Sequence, residues 1–438
     1  MNANSNQTTG AFGNPWVQLT IGVICMACVA NLQYGWTLFV TPIDDKYHWG
    51  RAAIQVAFTL FVLVETWLIP VEGYLVDRFG PRYVVIAGAF LVAIAWVINS
   101  GASSLAMLYF AAALGGIGTG CVYGTCVGNA LKWFPGRRGL AAGITAAGFG
   151  AGAAITIGPI GSMIQSAGYE HAFLVFGLIQ GAIVFVMAWG MEVAPPSLIA
   201  AKVKANQTAH GYTPAEVLRN PVFWVMYLMF VLVASGGLTM AASMAPIAKD
   251  FKIDKVPVEL FGLTMAAGVF AIQLNRIFDG VGRPFFGWLS DQIGREYTMA
   301  LAFTIGAAAL FMLSQVGTNP VMFVLLTAVY FGVYGEIFSL FPATQGDTFG
   351  AKYAAANAGM LYTAKGSGAL LVPVAAAIAK SSGWDSVFMI AMGFNLAAAI
   401  LALVVLKPLR ARHFAISRAT FAPPAAPSTV GDHQHRTT

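Results

Sequence analysis

The chain has 438 residues, of which 58% are hydrophobic and only 10% are charged. Soluble domains carry roughly 25% charged residues, so the composition excludes an ordinary soluble protein and indicates that most of the chain faces lipid or other apolar helices. The formal net charge is +6, but the basic residues are scattered at the ends of apolar segments, which excludes a nucleic-acid-binding face. All four cysteines lie inside apolar segments and indicate no disulfide framework.

The chain begins with a polar, uncharged segment at 1–15 that has neither the basic start nor the cleavage site of a secretory signal. We predict that it forms a short cytoplasmic tail. Charge-poor apolar windows of about 20 residues follow, the length that a helix needs to cross a bilayer. Twelve such helices are predicted, at 16–41, 53–73, 84–101, 105–131, 140–166, 171–192, 221–248, 259–288, 298–315, 319–346, 354–380 and 385–406. An even number of crossings places both termini on the same side.

The basic residues indicate which side that is. Of the 24 Lys and Arg residues, fifteen fall in the loops and tails on the side of the termini and six fall in the opposite loops. The remaining three, Arg276, Arg283 and Lys365, lie inside predicted helices. Because cytoplasmic loops carry the excess of Lys and Arg, both termini are predicted to be cytoplasmic.

The chain also repeats itself. The segment Gly73–Gly80 (GYLVDRFG) follows the second predicted helix, and the similar Gly287–Gly294 (GWLSDQIG) follows the eighth, 214 residues later. Pro70 and Pro284 keep the same offset. Duplicated bundles of this kind are typical of transporters, whose substrate site lies near the bilayer midplane between the two halves. We therefore predict an all-α membrane protein with two pseudo-symmetric six-helix bundles at 16–194 and 221–407.

Two segments lie outside these bundles. A central cytoplasmic loop is predicted at 195–220, where the hydrophobic pattern stops. Within it, Thr213 and Glu216 have the spacing of a capping box with proline at the first helical position, which predicts a short surface helix. The segment 408–438 is rich in Ala, Pro, Ser and Thr and is predicted to be a disordered cytoplasmic tail.

Arg283 and Lys365 lie deep in the eighth and eleventh predicted helices. An ionised side chain at that depth costs at least ~2.5–3.5 kcal/mol unless it faces a cavity or a partner. We expect the partner to be a mobile anion, since neither cation has an obvious dedicated carboxylate. The planar guanidinium and the compact ammonium together suit a short dicarboxylate. The repeat places Ile69 and Phe149 at the equivalent positions of the first half, so both cations belong to the second.

Other pairings remain open from the sequence. Arg276, Asp279 and Arg283 share one helix face, and the preferred assignment pairs Arg276 with Asp279, although the reverse pairing fits the spacing equally well. Lys365 could pair with Glu336. Glu336 could instead pair with Arg276 or carry a proton during transport. Glu65, which the 214-residue offset aligns with Asp279, could serve packing, gating or proton coupling.

Several segments of the chain resemble those of a known transporter family. The loops GYLVDRFGPR and GWLSDQIGRE resemble the paired signature of the major facilitator superfamily. Segments such as NLQYGWTLF, GRPFFGWLSDQIGR and LFPATQGDTFG resemble its oxalate:formate antiporter group. The resemblance implies that Arg283 and Lys365 hold the carboxylates of oxalate, with Gln33, Tyr34 and Tyr123 in the pocket. The chain departs from that pattern by having Phe149 in place of tyrosine, Tyr334 and Tyr362 in place of tryptophan, and Phe338 in place of tyrosine.

Two further groups of side chains are predicted from the residues themselves. Aromatic side chains that could wall the pocket and exclude water are Tyr34, Trp36, Tyr123, Phe149, Tyr334, Phe338 and Tyr362. Charged loop residues that could lock the two halves together are Asp77, Arg78, Arg82 and Asp291. The first group would contact substrate, whereas the second would act as a gate.

These features predict a secondary transporter of the inner membrane that works as a monomer, needs no metal or cofactor, and exchanges small carboxylates. The resemblance implies oxalate and formate as the favoured pair. The alternative is a proton-coupled monocarboxylate symporter, with Glu336 or Glu65 carrying the proton. An intramembrane enzyme has no support, because all six histidines fall in loops, tails or a helix end and no paired catalytic groups lie at membrane depth.

Overall fold

The computed structural model describes residues 12–195, 207–208, 210–260 and 262–421. The N-terminal half consists of α1 (Pro15–Tyr34), α2 (Thr37–Tyr47), α3 (Arg51–Phe79), α4 (Pro81–Ser100), α5 (Leu105–Trp133), α6 (Arg138–Ala167) and α7 (Tyr169–Trp189). The short helix α8 (Pro214–Leu218) follows. The C-terminal half consists of α9 (Pro221–Asp250), β1 (Pro257–Leu260), β2 (Leu263–Ala266), α10 (Ala267–Ile293), α11 (Arg295–Val316), α12 (Pro320–Tyr334), α13 (Ile337–Phe349), α14 (Ala354–Ala369), α15 (Val372–Ile400), a π-helical segment (Leu401–Leu406) and α16 (Lys407–Phe421).

Ten helical stretches of the described residues are long and apolar enough to cross a membrane. The two predicted crossings missing from this set correspond to α10 and α14. Helix α10 carries four charged residues and a serine near its end, and α14 spans only 16 residues before a break at Leu370 and Leu371. These are the helices that carry Arg283 and Lys365. The polarity that a buried charged site requires therefore lowers the hydropathy of the segments that hold it.

Besides the crossing that contains α14, two further predicted crossings are each divided into two helices. The first breaks at Gly35 and Trp36, and the tenth breaks at Gly335 and Glu336. Glycine is required at the second break, because a Cβ atom on Gly335 would lie 2.5 Å from the Asp279 carboxylate. The break therefore lets α12 and α13 approach the charged face of α10 closely.

The predicted start of the eighth helix at 259 is wrong. Residues 257–260 and 263–266 form an antiparallel strand pair in which Pro257 pairs with Ala266 and Leu260 pairs with Leu263. Gly262 has φ of 76°, the left-handed conformation that tight turns favour. A short apolar run of this length fits a strand or a helix equally well by periodicity, which is why the sequence did not separate the two.

The prediction of disorder over 408–438 is also wrong for its first part, because α16 is helical to Phe421. One face of α16, with Arg410, His413, Phe414 and Ser417, is buried. Arg410 donates a hydrogen bond of 2.8 Å to the Thr348 hydroxyl. This face anchors the helix to the end of α13. The rest of the predicted tail, like residues 1–11 and 196–206, lies outside the described residues.

The capping box predicted in the central loop is confirmed at the start of α8. The Thr213 backbone N–H and hydroxyl each donate a 2.7 Å hydrogen bond to the Glu216 carboxylate. These bonds hold the pKa of Glu216 below its usual value. The loop is therefore partly structured just before α9.

The halves meet closely at the membrane face that carries both ends of the described chain, which we call the terminal face. A Cβ atom on Gly139 of α6 would lie 2.3 Å from the Gly287 carbonyl oxygen of α10. Likewise, a Cβ atom on Gly73 of α3 would lie 2.6 Å from the Ala355 backbone of α14. Contact between α6 and α10 extends to Gly150, and beyond it Gly158 and Gly161 face open space. Glycines thus permit close approach of the halves at the terminal face.

Candidate functional site

Arg283 and Lys365 lie at one site between the two halves. Their side chains are only 2% and 3% exposed. The Arg283 guanidinium carbon lies 4.6 Å from the centre of the Phe338 ring, and the Lys365 ammonium lies 6.0 Å from the same centre. Both cations can therefore interact with one ring. The guanidinium carbon of Arg283 and the ammonium nitrogen of Lys365 lie no farther apart than the sum of these two distances. The structure brings together the two residues that the sequence singled out.

Arg283 is already paired in the structure. Its Nη2 lies 2.7 Å from Asp279 Oδ2, its Nε donates to Asp279 Oδ1 at 3.4 Å, and its Nη1 donates to the Ala146 carbonyl oxygen at 2.9 Å. The preferred pairing of Arg276 with Asp279 is therefore wrong. The Arg276 guanidinium instead lies 4.8 Å from the centre of the Tyr34 ring. Both pairings satisfy helical spacing, and the close approach of α6 directs Arg283 toward the Ala146 carbonyl and its neighbour Asp279.

Lys365 is paired as well, but more loosely. Its Nζ lies 3.6 Å from Glu65 Oε2, donates to the Tyr362 hydroxyl at 3.0 Å, and lies 3.5 Å from Gln33 Oε1. The expectation that neither cation has a dedicated carboxylate is thus wrong. Glu65, not Glu336, is the partner of Lys365. The 214-residue repeat held a signal for this, because it aligns Glu65 with Asp279, and each of these carboxylates pairs with one cation.

Glu336 takes no part in this pairing. It precedes α13 and is completely buried. Among the described residues, neither of its carboxyl oxygens has a hydrogen-bond partner. The predicted structural pairing of Glu336 with Arg276 or Lys365 is therefore not made here. Burying a carboxyl group without a hydrogen-bond partner costs free energy, so the burial of Glu336 calls for a functional explanation.

Aromatic side chains enclose the cations. Tyr123 of α5 lies with its ring centre 4.7 Å from that of Tyr362 and 5.3 Å from that of Phe149. Tyr34 lies 5.4 Å from Phe149, and Tyr334 lies 5.8 Å from Phe338. These rings exclude water, which strengthens the electrostatic interactions of the site.

Trp36 does not belong to this cluster of rings. It lines a separate apolar cavity inside the N-terminal half, together with Leu32, Phe61 and Trp96. The break between α1 and α2 turns Trp36 toward α3 and α4. Its predicted contact with substrate is therefore wrong for this structure.

Two of the predicted gate residues link the halves. Asp77 of the N-terminal half pairs with Lys132 at 2.5 Å and accepts a hydrogen bond of 3.1 Å from the backbone of Ala356 in α14. Asp291 of the C-terminal half accepts hydrogen bonds of 3.2 Å and 2.9 Å from the first turn of α6. The positive end of a helix dipole favours a carboxylate in both places. These two contacts close the terminal face.

The other two predicted gate residues make different contacts. Arg82 donates to the Met191 carbonyl oxygen at 3.3 Å, within its own half. The Arg78 guanidinium lies 5.3 Å from the centre of the neighbouring Phe79 ring. Their described contacts therefore do not bridge the halves.

Sequence reasoning missed the centre of the gate, which is Asp347. This buried residue pairs with Arg138 of the N-terminal half and with Arg295, each at 2.9 Å. Gln207 in the central loop donates to it at 2.7 Å. Asp347 is the only acidic residue between Glu336 and Asp385, and that isolation was the available signal.

Comparisons with known proteins agree with this architecture. A sequence profile described as Major Facilitator Superfamily matches residues 20–373 and 274–430. The oxalate:formate antiporter of Oxalobacter formigenes is 35% identical over 393 residues, which cover 89% of this chain and 91% of that protein. Monocarboxylate transporter 12-B of Danio rerio is 25% identical and covers 67% of this chain and 66% of its own length.

Solved structures show the same fold. The fucose:proton symporter FucP of E. coli superposes with a TM-score of 0.64 at 15% identity, covering 88% of this chain and 97% of that one. The human organic anion transporter MFSD10 gives the same TM-score at 12% identity, covering 88% and 98%. The predicted all-α fold is confirmed. The chain belongs to the Major Facilitator Superfamily and is a multi-pass membrane transporter, not an enzyme.

Proposed function

We propose that this transporter exchanges small carboxylates by alternating access, with oxalate and formate as its substrate pair. The observation that carries the proposal is the burial of Arg283 and Lys365 around one aromatic ring between the two halves. The relative from Oxalobacter formigenes, named an oxalate:formate antiporter, supports the substrate class. We further propose a monomer in a bacterial inner membrane with both termini cytoplasmic.

Because both cations are paired, a substrate must replace fixed carboxylates and does not enter a bare positive site. Exchanging one buried ion pair for another keeps each cation paired, and an unpaired buried cation would be costly. Arg283 presents a planar fork to a substrate carboxylate and keeps its hydrogen bond to Ala146. Lys365 releases Glu65 and binds the second carboxylate or, for formate, the only one.

The Lys365 pair also suggests how binding is linked to movement. Glu65 belongs to α3 of the N-terminal half and Lys365 to α14 of the C-terminal half, so their ion pair ties the halves together. A substrate that takes Lys365 breaks this tie at the centre. The contacts of Asp77, Asp291 and Asp347 hold the terminal face closed and must open for release on that side.

Transport by purified protein in lipid vesicles tests the proposal. Labelled oxalate should enter only when the vesicles contain formate or oxalate, and it should enter without a pH gradient. Arg283→Gln and Lys365→Gln should each abolish this exchange, whereas Lys380→Gln, which alters an exposed cation, should not. Native oxalate affinity in either pocket variant would contradict the assignment of the site.

A second candidate is proton-coupled monocarboxylate symport. Glu336 favours it, because this carboxyl group is completely buried and has no hydrogen-bond partner among the described residues. The similarity to proteins named monocarboxylate transporters also favours it. Uptake into empty vesicles that is driven by acid outside and is lost in Glu336→Gln would select symport over exchange.

A further inference from the structure

Glu65 is held differently from the other carboxylate of the site. Asp279 accepts two hydrogen bonds from Arg283, which lies on its own helix. Glu65 is completely buried, and within the described part of the chain neither of its oxygens accepts a hydrogen bond. Among the described residues, its one close opposite charge is Lys365, 3.6 Å away on the other half. The charge of Glu65 is therefore balanced by a group that the substrate also needs.

The groups around Glu65 offer no replacement for Lys365. From α5 and α14 it faces the phenolic side chains of Tyr123 and Tyr362, and on its own helix it faces Glu72, which carries the same charge as Glu65 when ionised. On α1, the uncharged amide of Gln33 contacts Lys365. In the other two neighbouring helices, the titratable residues lie at the helix ends. Those of α4 occupy the two positions after Pro81, and those of α2 lie in its last turn. No second cation near Glu65 is found among these described neighbours.

We propose that a carboxylate bound at Lys365 is accompanied by one proton, which Glu65 takes up from the aqueous phase. This inference deepens the proposed function and rests on it. When the substrate occupies the ammonium donors of Lys365, ionised Glu65 would remain buried without any partner, the most costly arrangement for a charge. A proton from water on the open side bonds to a Glu65 oxygen and removes the charge. The same proton returns to water when the anion leaves and Lys365 pairs with Glu65 again.

A charge count of the site gives the consequence for substrate class. Arg283, Lys365, Asp279 and Glu65 sum to zero in the paired state. A monocarboxylate with its proton leaves the loaded site neutral, whereas a dicarboxylate with its proton leaves one negative charge. Because the proton accompanies the anion in both directions, exchange of a dicarboxylate for a monocarboxylate moves one charge. A pH gradient does not drive that exchange.

Proton uptake by the purified full-length protein tests the proposal. The protein in weakly buffered detergent solution is mixed with sodium oxalate or sodium formate, at a pH where both are fully ionised, and a pH-indicator dye reports protons bound. Labelled oxalate measures anion binding in the same samples. We expect one proton taken up per anion bound, and an affinity that weakens about tenfold per pH unit once Glu65 of the free protein is ionised.

Glu65→Gln should bind anions without proton uptake and with an affinity that does not change with pH. Glu72→Gln is the matched control, because it removes a buried carboxyl group on the same helix that does not contact Lys365, and it should still take up the proton. Anion binding by the native protein without proton uptake would overturn this inference and leave the proposed function standing, even if Glu65→Gln fails to fold. Proton uptake retained in Glu65→Gln would also overturn it. Absence of any carboxylate binding by the native protein would overturn the proposed function instead.

Discussion

Lys365 of the C-terminal half and Glu65 of the N-terminal half form an ion pair of 3.6 Å across the interface between the two bundles. Arg283, by contrast, pairs at 2.7 Å with Asp279 on its own helix. The ion pair of Arg283 therefore lies within one half, with a neutral hydrogen bond to Ala146 of the other half, whereas the ion pair of Lys365 spans the two halves. This asymmetry separates the effects that substitutions at the two positions should have.

Arg283→Lys should weaken oxalate binding although it keeps the positive charge. Lysine cannot reproduce the planar fork, so the paired hydrogen bonds to a carboxylate are lost. We expect a loss of about 2 kcal/mol, or roughly 30-fold in Kd. Calorimetric titration with oxalate measures the change, and Lys380→Arg at an exposed position serves as the control. An unchanged Kd would show that Arg283 acts only as a point charge.

Phe338→Leu should weaken binding less severely, because the Phe338 ring lies against both cations but carries no charge itself. A desolvated cation lying over an aromatic face gains up to about 2 kcal/mol, of which we expect roughly half to affect substrate affinity. A fall of about fivefold in oxalate affinity is expected. Phe230→Leu, which alters a ring in edge-to-face contact with Phe338, should change affinity less. Equal effects of the two substitutions would assign Phe338 to packing alone.

Asp347→Asn should open the terminal face. The substitution leaves Arg138 and Arg295 buried without their shared carboxylate, at a cost of about 3 kcal/mol. Opening can be measured with Ser290→Cys in a background with the native cysteines replaced by alanine. Because Ser290 is only 2% exposed, a cysteine at this position is shielded from reagents until the terminal face opens. A charged maleimide should react with this cysteine faster in the Asp347→Asn protein. Glu259→Gln on the hairpin should leave the rate unchanged, and equal rates in all three proteins would argue against a gate at Asp347.

Arg410→Ala should lower the thermal stability of the transporter. Arg410 is buried, donates to the Thr348 hydroxyl at 2.8 Å and pairs with Glu296, so its loss removes one hydrogen bond to α13 and leaves the Glu296 carboxylate without this cation. We expect a loss of about 1–3 kcal/mol, measured as a lower midpoint of thermal unfolding in detergent. Arg412→Ala, on the exposed face of the same helix, should have little effect. Equal midpoints would mean that α16 does not stabilise the bundle.

The sequence alone predicted the crossings, the duplication and the two central cations, because each of these is a local or periodic property of the chain. An apolar window of about 20 residues has few stable states other than a membrane helix. A charge inside such a window is costly wherever the helix lies, so Arg283 and Lys365 were identifiable without knowing their neighbours. The hairpin at 257–266 was not identifiable, because a short apolar run carries too few residues to show a period.

The tertiary structure alone decided how the charges pair. Arg276 and Arg283 are both spaced correctly for Asp279 on one helix, and only the approach of α6 and the position of Tyr34 distinguish them. Glu65 and Lys365 are 300 residues apart in the chain, and packing of α3 against α14 brings them together. Helical periodicity determines which face a side chain occupies, but the packing of separate helices determines which charge it meets. For that reason the location of the site followed from sequence and its electrostatic balance did not.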